Sequence, residues 1–214
     1  QLSKLQYASK NNGLVDSSSV SVTFSNAKEY EEEGNVYYFT NSRTISLYLQ
    51  AMHAKYYFIT ETKNASPVWN DYTENATFNL SDGFGKKQLY VFFKDVSGKV
   101  TSVTPLPTIY YDKQEPNLTA PTVSVANSKL TITPQQKDNN YIHIPTVESQ
   151  DGLTFRYGVR ETSTTNYTWY NSVDKIPTLE AQKTYKIVTE ATDVAGNSKV
   201  SDEQEYTVPD GATM

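Results

Sequence analysis

Two histidines and no cysteine are what this 214-residue chain offers as nucleophile partners or bases beyond its carboxylates. A serine–histidine–acid constellation would need His53 or His143. His143 alternates within Tyr141-Ile142-His143-Ile144, so a period of two turns it outward from a strand. His53 follows Ala51-Met52 into a turn. Neither a glycine-rich phosphate loop nor zinc spacing occurs, and no segment singles out a carboxylate pair for glycoside hydrolysis. The sequence therefore predicts a chain that is not an enzyme, with no catalytic residues and no cofactor.

The aromatic residues could do a different chemistry. Trp69, Tyr72, Tyr167, Trp169 and Tyr170 are candidate glycan contacts, because aromatic faces on loops stack on sugar rings. Trp69 and Trp169 are the only tryptophans and stand 100 positions apart in matching contexts. That correspondence predicts instead that each ring packs on the core of its own unit.

The matching contexts belong to a repeat that must position all of these residues. Phe93-Lys94-Asp95-Val96-Ser97-Gly98-Lys99 has a twin 98 residues on in Ala191-Thr192-Asp193-Val194-Ala195-Gly196-Asn197. Each copy joins two β-prone runs, with Asp to cap its own backbone and Gly to supply the positive φ of a reversal. Glu61-Thr62 and Glu161-Thr162 repeat as well. The pattern is a tandem repeat of about a hundred residues, with period-two strands such as Ser19-Val20-Ser21-Val22-Thr23-Phe24.

We divide the chain into an N-terminal extension (1–16), a first domain (17–112), a linker (113–118) and a second domain (119–210). Strands are expected at 19–24, 36–39, 43–50, 55–62, 76–80, 87–95, 99–104 and 108–111. In the second domain they are expected near 121–125, 129–133, 141–147, 153–161, 183–191 and 198–207, seven or so per domain at sandwich spacing. The acidic Glu29-Tyr30-Glu31-Glu32-Glu33-Gly34 reads as a solvated loop. A net charge of −5 argues against nucleic acid, and no apolar run reaches the length of a membrane span. Gln1 is not an initiator, which suggests a processed product or a fragment.

These residues resemble the bacterial Ig-like repeats of cell-surface and secreted proteins. In the first domain the resemblance rests on Tyr57-Phe58-Ile59, Trp69-Asn70-Asp71-Tyr72, Phe78-Asn79-Leu80, Leu89 to Phe93 and Asp95-Val96-Ser97-Gly98-Lys99. In the second it rests on Phe155-Arg156-Tyr157, Trp169, Ile176 to Leu179, Tyr185 to Ala191 and Asp193-Val194-Ala195-Gly196-Asn197-Ser198. The first domain departs from the pattern at Ser97 and Lys99. The second has Ser172 where Tyr72 stands.

The resemblance implies an all-β chain of two tandem immunoglobulin-like β-sandwich domains of about seven strands each. It implies a non-catalytic structural or adhesive module, extracellular and bacterial: a stalk, adhesin, surface-layer or filament segment. The alternative is an accessory or glycan-binding module of a secreted carbohydrate-active enzyme. Partners would be other domains of the same protein, neighbouring subunits, or a host or cell-wall glycan or protein. Such repeats often hold calcium at domain junctions, which makes Asp95, Asp112, Glu115, Asn117 and Asp193 candidate ligands. The oxygen density is thin for a hard cation, and Asp193 reads first as the cap of its turn. Residues 1–16 fall outside the repeat: one reading lays them along their own domain, and the sharper one pairs them with a sheet edge or groove of an adjacent domain or subunit.

Overall fold

The computed structural model describes residues 19–102, 106–138 and 152–211. The chain divides into two compact units, Gln1–Lys113 and Gln114–Met214.

The first unit contains β1 (Ser21–Phe24), β2 (Lys28–Glu32), β3 (Asn35–Thr40), β4 (Thr44–Gln50), β5 (Tyr56–Thr60) and β6 (Asn70–Asp71). It continues with β7 (Asn75–Asn79), β8 (Gly85–Lys87), β9 (Tyr90–Lys94), β10 (Val100–Ser102) and β11 (Ile109–Tyr111). One sheet runs β1-β4-β7 and a second β10-β9-β5-β6. Period two places Ile45, Leu47 and Leu49 of β4 inward, facing Ile59 of β5 and Val91 and Phe93 of β9 in one buried core. A third sheet, β2-β3-β11-β8, adds Ile109 and Tyr111 to that core. Within it β11 runs parallel to β3, pairing Ile109 with Tyr38 and Tyr111 with Thr40.

The acidic stretch is not a loop. Residues 28–32 form β2, an antiparallel hairpin with β3 in which Tyr30 faces Tyr37 and Glu31 faces Val36. Glu33 and Gly34 both take positive φ, 49° and 79°, as a two-residue type I′ connection requires. Alternation decides the outcome: Tyr30 packs edge-on against Phe39 at 6.4 Å, while its glutamate neighbours Glu29 and Glu31 stay in water.

The second unit contains β12 (Asn117–Ala126), β13 (Lys129–Asp138), β14 (Thr154–Glu161), β15 (Thr168–Tyr170), β16 (Thr184–Thr192), β17 (Ser198–Val200) and β18 (Gln204–Thr207). β12 and β13 pair in one layer, and the other runs β15-β14-β16-β17 with β18 also on β16. Leu130 and Ile132 of β13 meet Val159, Tyr185, Ile187 and Val208 in the core between them. β12 begins at Asn117, so Asn117 and the buried Leu118, assigned above to the linker, are strand residues. The strand expected over 198–207 is broken at Ser201, whose hydroxyl takes the Thr189 N–H at 2.9 Å and donates to the Asp202 carbonyl. The strand expected at 141–147, with His143, lies outside the described residues, as does the extension 1–16.

Candidate functional site

The two Asp turns come first, because they hold the strongest repeat motif and two candidate calcium ligands. Asp95 is 1% exposed. Its Oδ1 accepts from the Ser97 N–H (2.9 Å), the Ser97 hydroxyl (2.6 Å) and the Lys99 N–H (3.0 Å). The buried Asp193 takes the Asn197 N–H on Oδ1 (2.8 Å) and the Asn197 amide on Oδ2 (3.0 Å). Gly98 and Gly196 sit at φ 89° and 96°, where a side chain would be strained. The departures at Ser97 and Lys99 now have a reason. Asn197 supplies a side-chain donor that Lys99 does not, and Ser97 restores one from the position held by Ala195. Burial pushes the Asp193 carboxyl up, against the hydrogen bonds from Asn197, Gly196 and Ala195 that pull it down.

Both carboxylates are thus engaged by their own turns. Glu115 pairs with Lys199 at 3.2 Å, Asp112 is buried with its N–H on the Thr40 carbonyl at 2.9 Å, and Asn117 is half-buried opposite Asp138. Among the described residues no three His, Cys, Asp or Glu side chains gather as a metal site. His53 occupies a turn with a left-handed backbone, φ 65°.

The aromatic candidates separate into two groups. Tyr72 is anchored at the core: its hydroxyl donates to the Leu49 carbonyl (3.1 Å) and accepts the Ala51 N–H (3.2 Å), and its ring meets Phe93 edge-on. Tyr170 packs on the second core. Trp69, Tyr167 and Trp169 lie half-buried on the outer sheet faces, so the expectation that the tryptophans pack in the cores is corrected.

On those faces each tryptophan is covered by a cation. Lys94 Nζ stands 4.8 Å from the Trp69 ring and 4.9 Å from Tyr56, and the Arg156 guanidinium stands 4.1 Å from Trp169. Register shows how the two domains reach the same arrangement. Trp169 pairs with Gly158, four residues along β14 from Thr154, whose partner Thr192 immediately precedes Asp193. The β5–β6 register, carried one residue past Tyr57↔Asn70, sets Trp69 opposite Phe58. That is two residues from Tyr56, whose partner Lys94 immediately precedes Asp95. Trp169 therefore sits one pleat further from its turn. This is why the tryptophans repeat at 100 residues and the turns at 98. In both domains the cation stands two residues nearer the turn than the residue opposite tryptophan. Lys94 supplies it from β9 and Arg156 from β14.

The second domain extends the ladder. Arg156 forks onto Glu190 at 2.6 and 3.3 Å. Arg160 lies over the Tyr167 ring at 5.3 Å and binds Glu203 at 3.1 Å. The Tyr167 hydroxyl, Arg160 and Lys186 all reach Glu203 and hold its carboxyl down at about 2. Sequence reasoning missed Lys94, Arg156, Arg160, Glu190 and Glu203. Strand parity counted from the residue facing each tryptophan finds the first four, while Glu203 lies between β17 and β18 and carries no such signal.

In the first domain the layers β1-β4-β7 and β10-β9-β5-β6 enclose the core, and the Asp95 turn joins β9 to β10; the second domain repeats that turn between β16 and β17. Both domains are immunoglobulin-like β-sandwiches. No protein-family model and no curated protein matches the chain. Solved structures similar to it are tandem fibronectin III and Ig-like domains. The FN1-FN3 domains of chicken CNTN1 align at 12% identity and TM-score 0.41, over 80% of this chain and 65% of that one. Domains A168-A170 of titin align at 13% and 0.49, over 88% and 68%. The fibronectin(III)-like modules of Clostridium thermocellum CbhA align at 11% and 0.45, over 88% and 94%. The chain spans less than two thirds of the CNTN1 fragment.

Proposed function

We propose that the immunoglobulin-like pair is a non-catalytic structural module of a bacterial extracellular protein, serving as a stalk, adhesin, surface-layer or filament segment. One observation carries the reading: the side chains with most chemical capability are engaged within their own domains. Asp95 and Asp193 tie their turns, Tyr72 bridges Leu49 and Ala51, and Tyr167, Arg160 and Glu203 bind one another. Such internal closure favours rigid domains over a reactive site. Partners in this reading are other domains of the same protein, neighbouring subunits, or a host or cell-wall glycan or protein. The test is a screen of the purified chain for hydrolysis of polysaccharide and peptide substrates, alongside localisation of the native protein by surface proteolysis. Turnover by the pure chain, or protection from protease on intact cells, would overturn the reading.

The half-buried Trp69, Tyr167 and Trp169 on outer faces favour one second reading, an accessory glycan-binding module. A specific glycan-array signal abolished by Trp69→Ala or Trp169→Ala in a folded variant would establish it in place of the first.

A further inference from the structure

The outer face of the first domain carries charge that its own surface does not neutralise. The row across the sheet runs Val100, Lys94, Tyr56, Asp71. Lys94 lies over Tyr56 and Trp69, and Lys55 Nζ stands 5.6 Å from the other ring contact, Tyr56. No ion pair holds either ammonium among the described residues, and Asp71, at the end of the row, pairs with neither. Around them Val68, Val96 and Val100 are exposed. The surface is a basic, aromatic and apolar patch on a chain whose net charge is negative.

The same domain presents the complement. The β2–β3 hairpin exposes Glu29, Glu31 and Glu33, none of them in an ion pair among the described residues. Glu31 faces Val36 across the hairpin, so the two share a side with Glu29. Val36 is 51% exposed. That side alternates carboxylates with an apolar residue, as the patch alternates ammoniums with rings and valines. Aligning opposite charges around a small apolar contact fixes register and suppresses wrong partners.

We infer that the acidic hairpin Lys28–Thr40 of one copy docks on the Lys55–Lys94–Trp69 face of a second copy. The two surfaces differ, so the contact is heterologous and propagates into a chain of molecules unless its rotation closes a ring. The inference goes beyond the structural-module reading, which stands whether or not copies assemble.

Sedimentation velocity on the full chain tests it, with two reversals: Lys55→Glu/Lys94→Glu on the patch and Glu29→Lys/Glu31→Lys/Glu33→Lys on the hairpin. Lys55→Glu alone is a milder patch variant that leaves the Lys94–Trp69 contact in place. Thermal melts confirm that each variant folds. The wild type should assemble with rising concentration at ~0.01 M salt, where the screening length is about 30 Å, and less at ~1 M, where it is about 3 Å. Each full reversal should weaken assembly by roughly tenfold or more, since several exposed charge pairs become repulsive together. Mixing the two reversed proteins sets the acidic patch against the basic hairpin and the unchanged acidic hairpin against the unchanged basic patch, so the mixture should co-assemble under conditions where neither reversed protein assembles alone. A wild type that stays monomeric into the millimolar range overturns the inference. So does assembly indifferent to both reversals, or loss on reversing the patch but not the hairpin. Binding of dextran sulfate by a monomeric wild type, lost in Lys55→Glu, would reassign the patch to an anionic polysaccharide.

Discussion

Replacing Gly158 with alanine measures how tightly the aromatic ladder of the second domain is laid on its sheet. A Cβ at that position would stand 2.8 Å from Val188 Cγ2, 3.1 Å from Trp169 Cζ3 and 3.1 Å from Tyr167 Cδ1. Val188 is 1% exposed and branched at Cβ, so its side chain has few alternative rotamers. The rings must therefore lift or the strands part, at an overpacking cost of about 1–3 kcal/mol. Against that, alanine stiffens the unfolded chain and returns about 0.4–1 kcal/mol. The net expectation is a loss of about 1–2 kcal/mol, a fall of roughly 5–15 °C in the melting temperature of a domain this size. In a Trp69→Phe background Trp169 is the sole tryptophan, so urea denaturation followed by its fluorescence reports the second domain. Adding Trp169→Ala, with unfolding then followed by circular dichroism because no tryptophan remains, should make the Gly158→Ala penalty smaller than additive, because the two share a contact. If Gly158→Ala leaves the domain as stable as before, or stabilises it, the rings are not packed on the sheet as described.

Other expectations follow from the same geometry. Ser97→Ala should destabilise the first domain by about 1 kcal/mol by removing a donor from a buried carboxylate, and Lys99→Asn added to it should recover most of the loss; thermal melts of the two variants decide. Trp69→Ala should cost about 1–3 kcal/mol by denaturation, less than a core truncation, because one face of the indole meets a cation and solvent. Glu203 titrates at about 2 in the fold and near 4.5 without its partners. A depressed carboxyl adds stability above its unfolded pKa and loses it as pH falls through the folded value. Asp193, raised in the fold, works the other way. Glu203→Gln should therefore flatten the decline in second-domain stability between about pH 4.5 and 2, as acid titrations of both proteins would show.

The repeat and its Asp turns were legible because they are written in residue types with one use, an acid that caps and a glycine that reverses. The strands of the first domain were legible where polar and apolar residues alternate, as in Thr44–Gln50. The acidic hairpin was not, because like charges masked the alternation of Tyr30 with Glu29 and Glu31. The tryptophans were misplaced for a different reason. A matching position in a repeat says nothing about which face a residue takes, and both tryptophans lie on outer faces although Trp169 is one pleat further from its turn than Trp69. Parity within a sheet emerges only once partner strands are known. The cations over the rings were hidden for the same cause, since they come from different strands in the two domains.

The parallel pairing of β3 with β11 bears on how the first domain meets mechanical tension. β11 is the last strand before the chain leaves at Asp112, and its three residue pairs with β3 are continued by the Asp112 N–H on the Thr40 carbonyl. Tension drawn out through Asp112 and resisted from the N-terminal side acts along these strands. The hydrogen bonds lie across that direction and must shear together, where a hairpin pulled at its open end would unzip one rung at a time. Resistance to extension therefore includes, beside the antiparallel β11–β8 pairing, a parallel seam only a few residues long. Proline at Tyr110, which removes one N–H from it, should lower the force the domain withstands well before it lowers the temperature at which the domain melts.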